Sequence, residues 1–413
     1  MNVLISHVFG YANKGDWVLL SSLIKCIVAV EPNAKIYGIC RNPTQQAKYF
    51  PNVSWVQQLG VSERTGLRRR MENLSGIIFG VMRDLALPIT TAKQDNSLSA
   101  AYDNADVIIA CPGGYLEDSN PSIITNLVHL ALGIRRRTPV ILAPQSIGPF
   151  SSRFWQWATG NLLRRCLVVC TREDYSAKTV IDKLKVPLSK VRELPDMAFY
   201  FSYRDQNAAR SEIEKLGLKR NQYVCITAID WYFPFSEDPE KEKVTYIDAL
   251  SKVIKQIQLE YGFRVLILKQ VESAAGVNGD DEIMHAIQVK AEGAAIASYE
   301  NYAPEVMRGI IEDSAGFIGS RMHSNVFAIQ AGVPLVALSY LPKTNGIMSM
   351  VGLGEYVVPI TSLNHERLFS KFSAAISQRE MFCDASKICA TIGAGGRESF
   401  CEILGSAMRL KEH

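Results

Sequence analysis

The chain repeats one rhythm: a short uninterrupted apolar run, a turn of Gly, Pro and polar residues, then a segment with helical spacing. Asp106 to Ala110 runs into Cys111-Pro-Gly-Gly-Tyr-Leu-Glu-Asp118. Pro139 to Ala143 runs into Pro144-Gln-Ser-Ile-Gly-Pro149, and Leu167 to Cys170 into Thr171-Arg-Glu-Asp-Tyr-Ser176. Runs that are apolar at every position fit strands covered on both faces, which are the strands of parallel sheets. Strands alternating with helices predict an α/β protein whose ligands lie beyond the strand carboxyl ends.

The rhythm starts at the first residues. Asn2 to Ser6 reads as a strand, and Asp16 to Val30 as a helix with an apolar stripe of Leu19, Leu20, Leu23, Ile24, Ile27 and Val28. Strands follow at Ala34 to Cys40 and Val53 to Val56. With 413 residues the chain is too long for one ordinary core, so two domains are expected. The charged segment between Pro195 and Asn221 reads as their junction, and a second α/β series begins at Gln222 to Ile229. This gives an N-terminal domain over residues 1–200 and a C-terminal one over 201–390. A closing helix in 391–413 is expected to pack back on the first. The last two helices are read as about Leu363 to Arg379 and Glu398 to Leu410.

Composition removes several classes of function. A net charge of +4 is too small to imply nucleic acid. The nine cysteines are odd in number, scattered and without a C-x-x-C pair, which reads as reduced, buried thiols and no metal site. No secretion signal is legible at the N-terminus. No apolar run approaches the roughly 18 residues of a spanning helix. A cytoplasmic protein is expected. Glu63 to Leu87 carries Arg64, Arg68, Arg69, Arg70 and Arg83 around Ile77, Ile78, Phe79, Val81 and Met82. Such a segment suits either peripheral contact with the inner face of an anionic membrane, through residues 64–83, or an ordinary surface helix.

The chemistry concentrates in Gly319 to Tyr340. A strand over Gly316 to Ile318 leads to Ser320, an N-cap candidate, and a helix that Gly332 and Pro334 stop. Arg321 and His323 then sit at the helix start, where free N–H groups favour anions. Arg321 adds a fixed positive fork, and His323 can carry a proton near neutral pH. The reading is an anion site with a proton donor beside it; the alternative is a structural turn. Asp16, in Asn13-Lys-Gly-Asp16, reads either as a helix cap or as a base for a hydroxyl. Gly15, Gly113 and Gly114 permit close backbone approach. Gln145 and Ser146 lie in another strand-end turn. Arg172 either grips an anion bidentately or pairs with Glu173 or Asp174, and Lys343 suits a phosphate. Phosphate-loop, dinucleotide, serine-hydrolase and zinc-hydrolase motifs do not occur.

The ordered set Asn13-Lys-Gly-Asp16, Gly113 to Asp118, Gln145 to Pro149, Arg172 to Ser176, Asp196-Met-Ala198, Arg321-Met-His323, Ala331-Gly-Val-Pro334, and Tyr340 with Lys343 resembles the polysaccharide pyruvyl transferase family. The resemblance spans about Asn2 to Leu353. It implies two Rossmann-like domains of glycosyltransferase-B type with the active site in the interdomain cleft, the acceptor on the N-terminal side and the donor on the C-terminal side. It implies transfer of a pyruvyl group from phosphoenolpyruvate to two hydroxyls of one sugar as a cyclic ketal, with no cofactor required. The sugar would belong to a surface polysaccharide or its lipid-linked precursor. By position, Arg321, Met322, Lys343 and Arg172 would bind donor, His323 would be the acid and Asp16 the base. Met322 replaces the family's commoner leucine, a small change in volume. Trp17 stands where an acidic residue is common, and Pro144 and Ser146 where glycines are; these departures bear on the acceptor more than on the donor. The rival readings are a glycosyltransferase using a nucleotide sugar on the same architecture and a non-catalytic glycan-assembly subunit.

Overall fold

The computed structural model describes residues 1–60, 98–120, 122–234, 236–273, 279–361 and 363–410. The basic segment from Glu63 to Leu87 lies outside the described residues. Contacts divide the chain into two units. The first holds Met1–Tyr11, Asp16–Tyr200 and Ala394–His413; the second holds Ala12–Gly15 and Phe201–Gly393. Asn13 and Gly15, which sequence numbering assigns to the first domain, are therefore counted with the second.

The first unit is built on a parallel sheet. Its strands are β1 (Asn2–Val8), β2 (Lys35–Cys40), β3 (Ser54–Gln57), β4 (Val107–Ala110), β5 (Gly113–Leu116), β6 (Val140–Ile147), β7 (Val168–Thr171) and β8 (Val191–Glu193). They run in the order β3-β2-β1-β4-β6-β7-β8, with β5 paired to β6 off this path. The helices are α1 (Lys14–Val30), α2 (Pro43–Tyr49), α3 (Leu98–Asp103), α4 (Ile123–Arg135), α5 (Arg153–Leu163) and α6 (Asp174–Lys178). Leu4, Ile108, Leu142 and Val169 from the strands meet Leu127, Leu130 and Leu163 from the helices in one buried core. All four residues of β4 are buried, as a central parallel strand requires.

The second unit has strands β9 (Tyr223–Thr227), β10 (Arg264–Leu268), β11 (Ala295–Ser298), β12 (Gly316–Gly319), β13 (Leu335–Ser339) and β14 (Val357–Pro359). Their order, β11-β10-β9-β12-β13-β14, is that of a doubly wound sheet, whose topological switch falls between β9 and β12. Helices α7 (Gln206–Lys215), α8 (Pro239–Tyr261), α9 (Asp281–Lys290), α10 (Pro304–Glu312), α11 (Met322–Ala331), α12 (Pro342–Met350) and α13 (His365–Ser377) belong to it. The last helix, α14 (Arg379–Arg409), has its earlier part in the second unit and continues from Ala394 in the first.

Several boundaries differ from the sequence reading. The turns at Gly113 and Gln145 are not simple turns: β6 continues to Ile147 and pairs in parallel with β5, Gly113 opposite Gln145 and Leu116 opposite Ile147. Helix α8 begins at Pro239, where the Asp238 side chain caps it by accepting from the Lys241 N–H and Pro239 pre-sets the first turn. α14 starts at Arg379 and runs through Gly393, Gly395 and Gly396, residues that lower helix propensity and so hid its length. A Cβ at Gly396 would overlap Pro195, so close packing holds the helix there. No helix among the described residues is long and apolar enough to cross a membrane.

Candidate active site

In the second unit, β12 delivers Ser320 and Arg321 to the switch point. Ser320 is not the N-cap. Its hydroxyl is buried and hydrogen-bonds Tyr246 Oη at 2.7 Å, while its N–H donates to the Thr227 carbonyl at the end of β9. Arg321 occupies the cap position, without a side-chain cap bond. The Ser324 hydroxyl donates back to the Arg321 carbonyl at 2.7 Å and lies 2.8 Å from Thr227 Oγ1. Gly332 adopts the left-handed conformation and ends α11, as its place before Pro334 predicts.

The Arg321 guanidinium is held by Asp280, a fully buried carboxylate, through Nη2. The other Asp280 oxygen accepts the N–H groups of Gln270 (3.0 Å) and Val271 (2.8 Å). Burial pushes the Asp280 carboxyl up, and Arg321 and these amides oppose that. One carboxylate thus fixes both the end of β10 and the fork at the end of β12. Met322 follows Arg321 at the first position of α11, and its side chain is buried.

His323 is half-buried at the second position of α11, and its ring lies directly on Gly15. Any Cβ at Gly15 would overlap the imidazole. This meeting is built by backbone pairing: Asn13 bridges Val271 in antiparallel sense, Lys14 N–H donates to the Gln270 carbonyl, and Glu272 N–H donates to the Ala12 carbonyl. Lys14 is fully buried. Burial lowers its ammonium from 10.5 to about 8, against the pull of Glu272 and Asp280 and with the push of Lys269. Lys343, at the start of α12, lies 6.0 Å from the centre of the Tyr340 ring, which packs on Trp231 at 4.7 Å.

In the first unit, Asp16 lies inside the first turn of α1 and is not its cap; Asn13 precedes the helix, and its Oδ1 accepts from Gly15 N–H at 2.9 Å. Asp16 instead accepts from the Tyr115 hydroxyl at 2.9 Å. Tyr115 stacks on Phe9 at 3.9 Å, and burial together with the Asp16 charge raises its pKa well above the usual value. It therefore stays a neutral donor. Gly113 carries a φ of +150°, and a Cβ there would overlap the Tyr115 ring. Gln145 is buried and donates to the Cys111 carbonyl at 2.7 Å, tying β6 to the end of β4.

Arg172 is committed to its own unit. Its Nε donates to Ser146 Oγ and its Nη1 to Asp196 Oδ2, both at 2.7 Å, and Glu173 lies at 3.4 Å. Burial works against its charge, but Asp196 and Glu173 more than offset it, and the pKa is raised. The pairing partner is thus mainly Asp196, the first residue of Asp196-Met-Ala198, and Gly114 sits beside the guanidinium. Sequence reading missed Tyr115, Asp280 and Gln270. Tyr115 could have been found inside its Gly-Gly motif. Asp280 and Gln270 carry no local signal, since only the fold brings Asp280 to both the Gln270 N–H and the Arg321 guanidinium.

Comparison with known proteins agrees with this layout. The pattern described as polysaccharide pyruvyl transferase matches residues 13–342, most of the chain. The amylovoran biosynthesis protein AmsJ of Erwinia amylovora is 22% identical over 400 residues, covering 92% of this chain and 93% of that one. Among solved structures, UDP-GlcNAc 2-epimerase of Neisseria meningitidis bound to UDP-GlcNAc superposes with a TM-score of 0.59 at 12% identity, covering 99% of both chains. The S. aureus MnaA-UDP co-structure gives 0.61 at 11% identity, covering 96% of this chain and 94% of the other. At such identities these structures speak for the fold alone: two Rossmann-like domains, glycosyltransferase-B-like. The sequence match extends from Asn13 through Arg321 and His323 to Pro342, and it carries the assignment: this chain belongs to the polysaccharide pyruvyl transferase family.

Proposed function

We propose that the protein transfers a pyruvyl group from phosphoenolpyruvate to two hydroxyls of one sugar in a surface polysaccharide or its lipid-linked precursor, forming a cyclic ketal and releasing phosphate. The observation that carries this reading is the pairing of a clamped guanidinium with an imidazole at the start of α11, Arg321 on Asp280 and His323 on Gly15. Family membership supports the acceptor class.

Arg321, Lys343 and the first N–H groups of α11 take the phosphate. The His323 imidazolium gives its proton to the methylene carbon, which leaves C2 electron-poor. A sugar hydroxyl adds to C2 and gives its proton to Asp16. The second hydroxyl then replaces phosphate at C2, and its proton leaves with the phosphate. Tyr115 donates to Asp16, which favours the carboxylate form that a base requires. Arg172 already serves Asp196, so in this reading it braces the Gly114 turn and does not bind donor.

The test is mass spectrometry of candidate glycans and lipid-linked sugars incubated with protein and phosphoenolpyruvate. The expected result is a product heavier by one pyruvate ketal, with matching phosphate release. A melting temperature raised by nucleotide sugars and unmoved by phosphoenolpyruvate would overturn the reading. Within it, Gly15→Ala should cut turnover about 100-fold, because displacing a reacting group by roughly 1 Å costs that much. Steady-state phosphate release checks this; near-normal turnover would show that the imidazole position is not critical.

A further inference from the structure

Phosphoenolpyruvate carries a carboxylate as well as a phosphate, and with Arg172 engaged elsewhere the donor needs another contact. Gln270 follows β10 and is 1% exposed. Neither its Oε1 nor its Nε2 has a hydrogen-bond partner among the described residues. Its main chain, by contrast, is fully used: the N–H goes to Asp280, and the carbonyl accepts from Lys14. Native interiors leave few carboxamides idle on both atoms, because each idle buried atom costs folding free energy.

Two further idle atoms lie on the same sheet edge as Gln270. Arg321 Nε, at the end of β12, also lacks a partner among the described residues, as does Thr344 Oγ1, at the start of α12 after β13. All three lie on the carboxyl edge of one sheet, where doubly wound folds place ligands. Gln270 and Arg321 are further locked together, since the two oxygens of Asp280 hold the backbone of one and the guanidinium of the other.

We propose that Gln270 is a donor-binding residue whose side-chain amide donates to an anionic oxygen of phosphoenolpyruvate beside Arg321. This rests on the phosphoenolpyruvate reading above. A neutral amide suits the place, because Lys14, Lys269 and Arg321 already face Glu272, Asp280 and Asp281 there in equal number. A neutral donor binds the incoming anion without leaving an uncompensated buried charge in its absence.

The experiment is calorimetric titration of phosphoenolpyruvate into the wild-type chain, Gln270→Leu and Gln270→Glu, with melting temperatures of the ligand-free proteins. Gln270→Leu should bind about 10- to 100-fold more weakly, the value of one hydrogen bond to a charged group, and Gln270→Glu more weakly still. The ligand-free leucine variant should melt no lower than wild type, since it removes an idle buried amide. A residue that merely supports the fold would not combine weaker binding with undiminished stability. Binding within about twofold of wild type in both variants would overturn the assignment and leave the donor reading intact. So would lower melting temperatures in both, which would make Gln270 a packing residue. Absence of binding by the wild-type protein would overturn the donor reading itself, and this assignment with it.

Discussion

His323→Ala is expected to lower turnover by about 10²–10⁴-fold while donor affinity changes little, since that is the usual worth of a positioned general acid. The phosphate is assigned to Arg321, Lys343 and the N–H groups of α11, none of which the substitution removes. The imidazole instead rests on Gly15, a neighbour with no side chain of its own, so truncation leaves a space and not a broken core. The residue as a whole is half-buried. Single-turnover phosphate release, paired with calorimetric titration of phosphoenolpyruvate, separates the two effects. A variant that binds normally and turns over within a few-fold of wild type would remove His323 from the proton transfer. A variant that loses binding and turnover together would make it a donor ligand.

A second large effect concerns stability in acid. His7 and His129 are buried in the first unit, with ring centres 6.4 Å apart. His7 Nε2 meets the Asn126 carbonyl at 2.8 Å, which fixes the hydrogen on that nitrogen; Nδ1 has no partner among the described residues. His129 Nδ1 meets the Tyr102 hydroxyl at 2.8 Å, and its Nε2 likewise has none. A charged ring would thus bury an unanswered N–H. Burial lowers His7 from 6.5 to about 4, against the Asn126 bond, and burial with the His7 charge lowers His129 to about 3.

The sign follows from which state takes the proton. Between pH 6.5 and these lowered values the unfolded chain is protonated and the folded chain is not, so acid favours unfolding. The stability from neutral rings is complete above 6.5 and is lost as pH falls toward about 4 for His7 and about 3 for His129. His7 alone corresponds to about 3 kcal/mol over that window. Because the rings repel each other when charged, the two losses are coupled. Urea melts between pH 7 and pH 4 should show stability falling by roughly 1 kcal/mol or more per pH unit beyond the carboxylate contribution. The double variant His7→Gln, His129→Gln should have a shallower slope whatever its absolute stability. An identical slope would show that these rings take up protons in the folded state.

The sequence by itself determined the class of fold and the order of the motifs. Strands covered on both faces must be apolar at every position, so β4, β9 and β12 are visible as runs without any knowledge of their neighbours. Gly332 and Pro334 end α11 for local reasons of backbone geometry, and Arg321 and His323 fall at its start because β12 and α11 are contiguous. Tertiary structure alone decided which of these groups meet. Gly15 reaches His323 because Ala12–Gly15 pairs with the chain at Val271, and Arg321 is set by Asp280 because that carboxylate also holds the end of β10. For Arg172 the sequence left an anion or a neighbouring carboxylate open as partner, and the fold brings Asp196, just after β8, to it. Local patterns report burial and dihedral preference, which act within a few residues. The partners of a charge are set by strand order and by pairing across hundreds of residues, and a single chain read end to end carries no local trace of either.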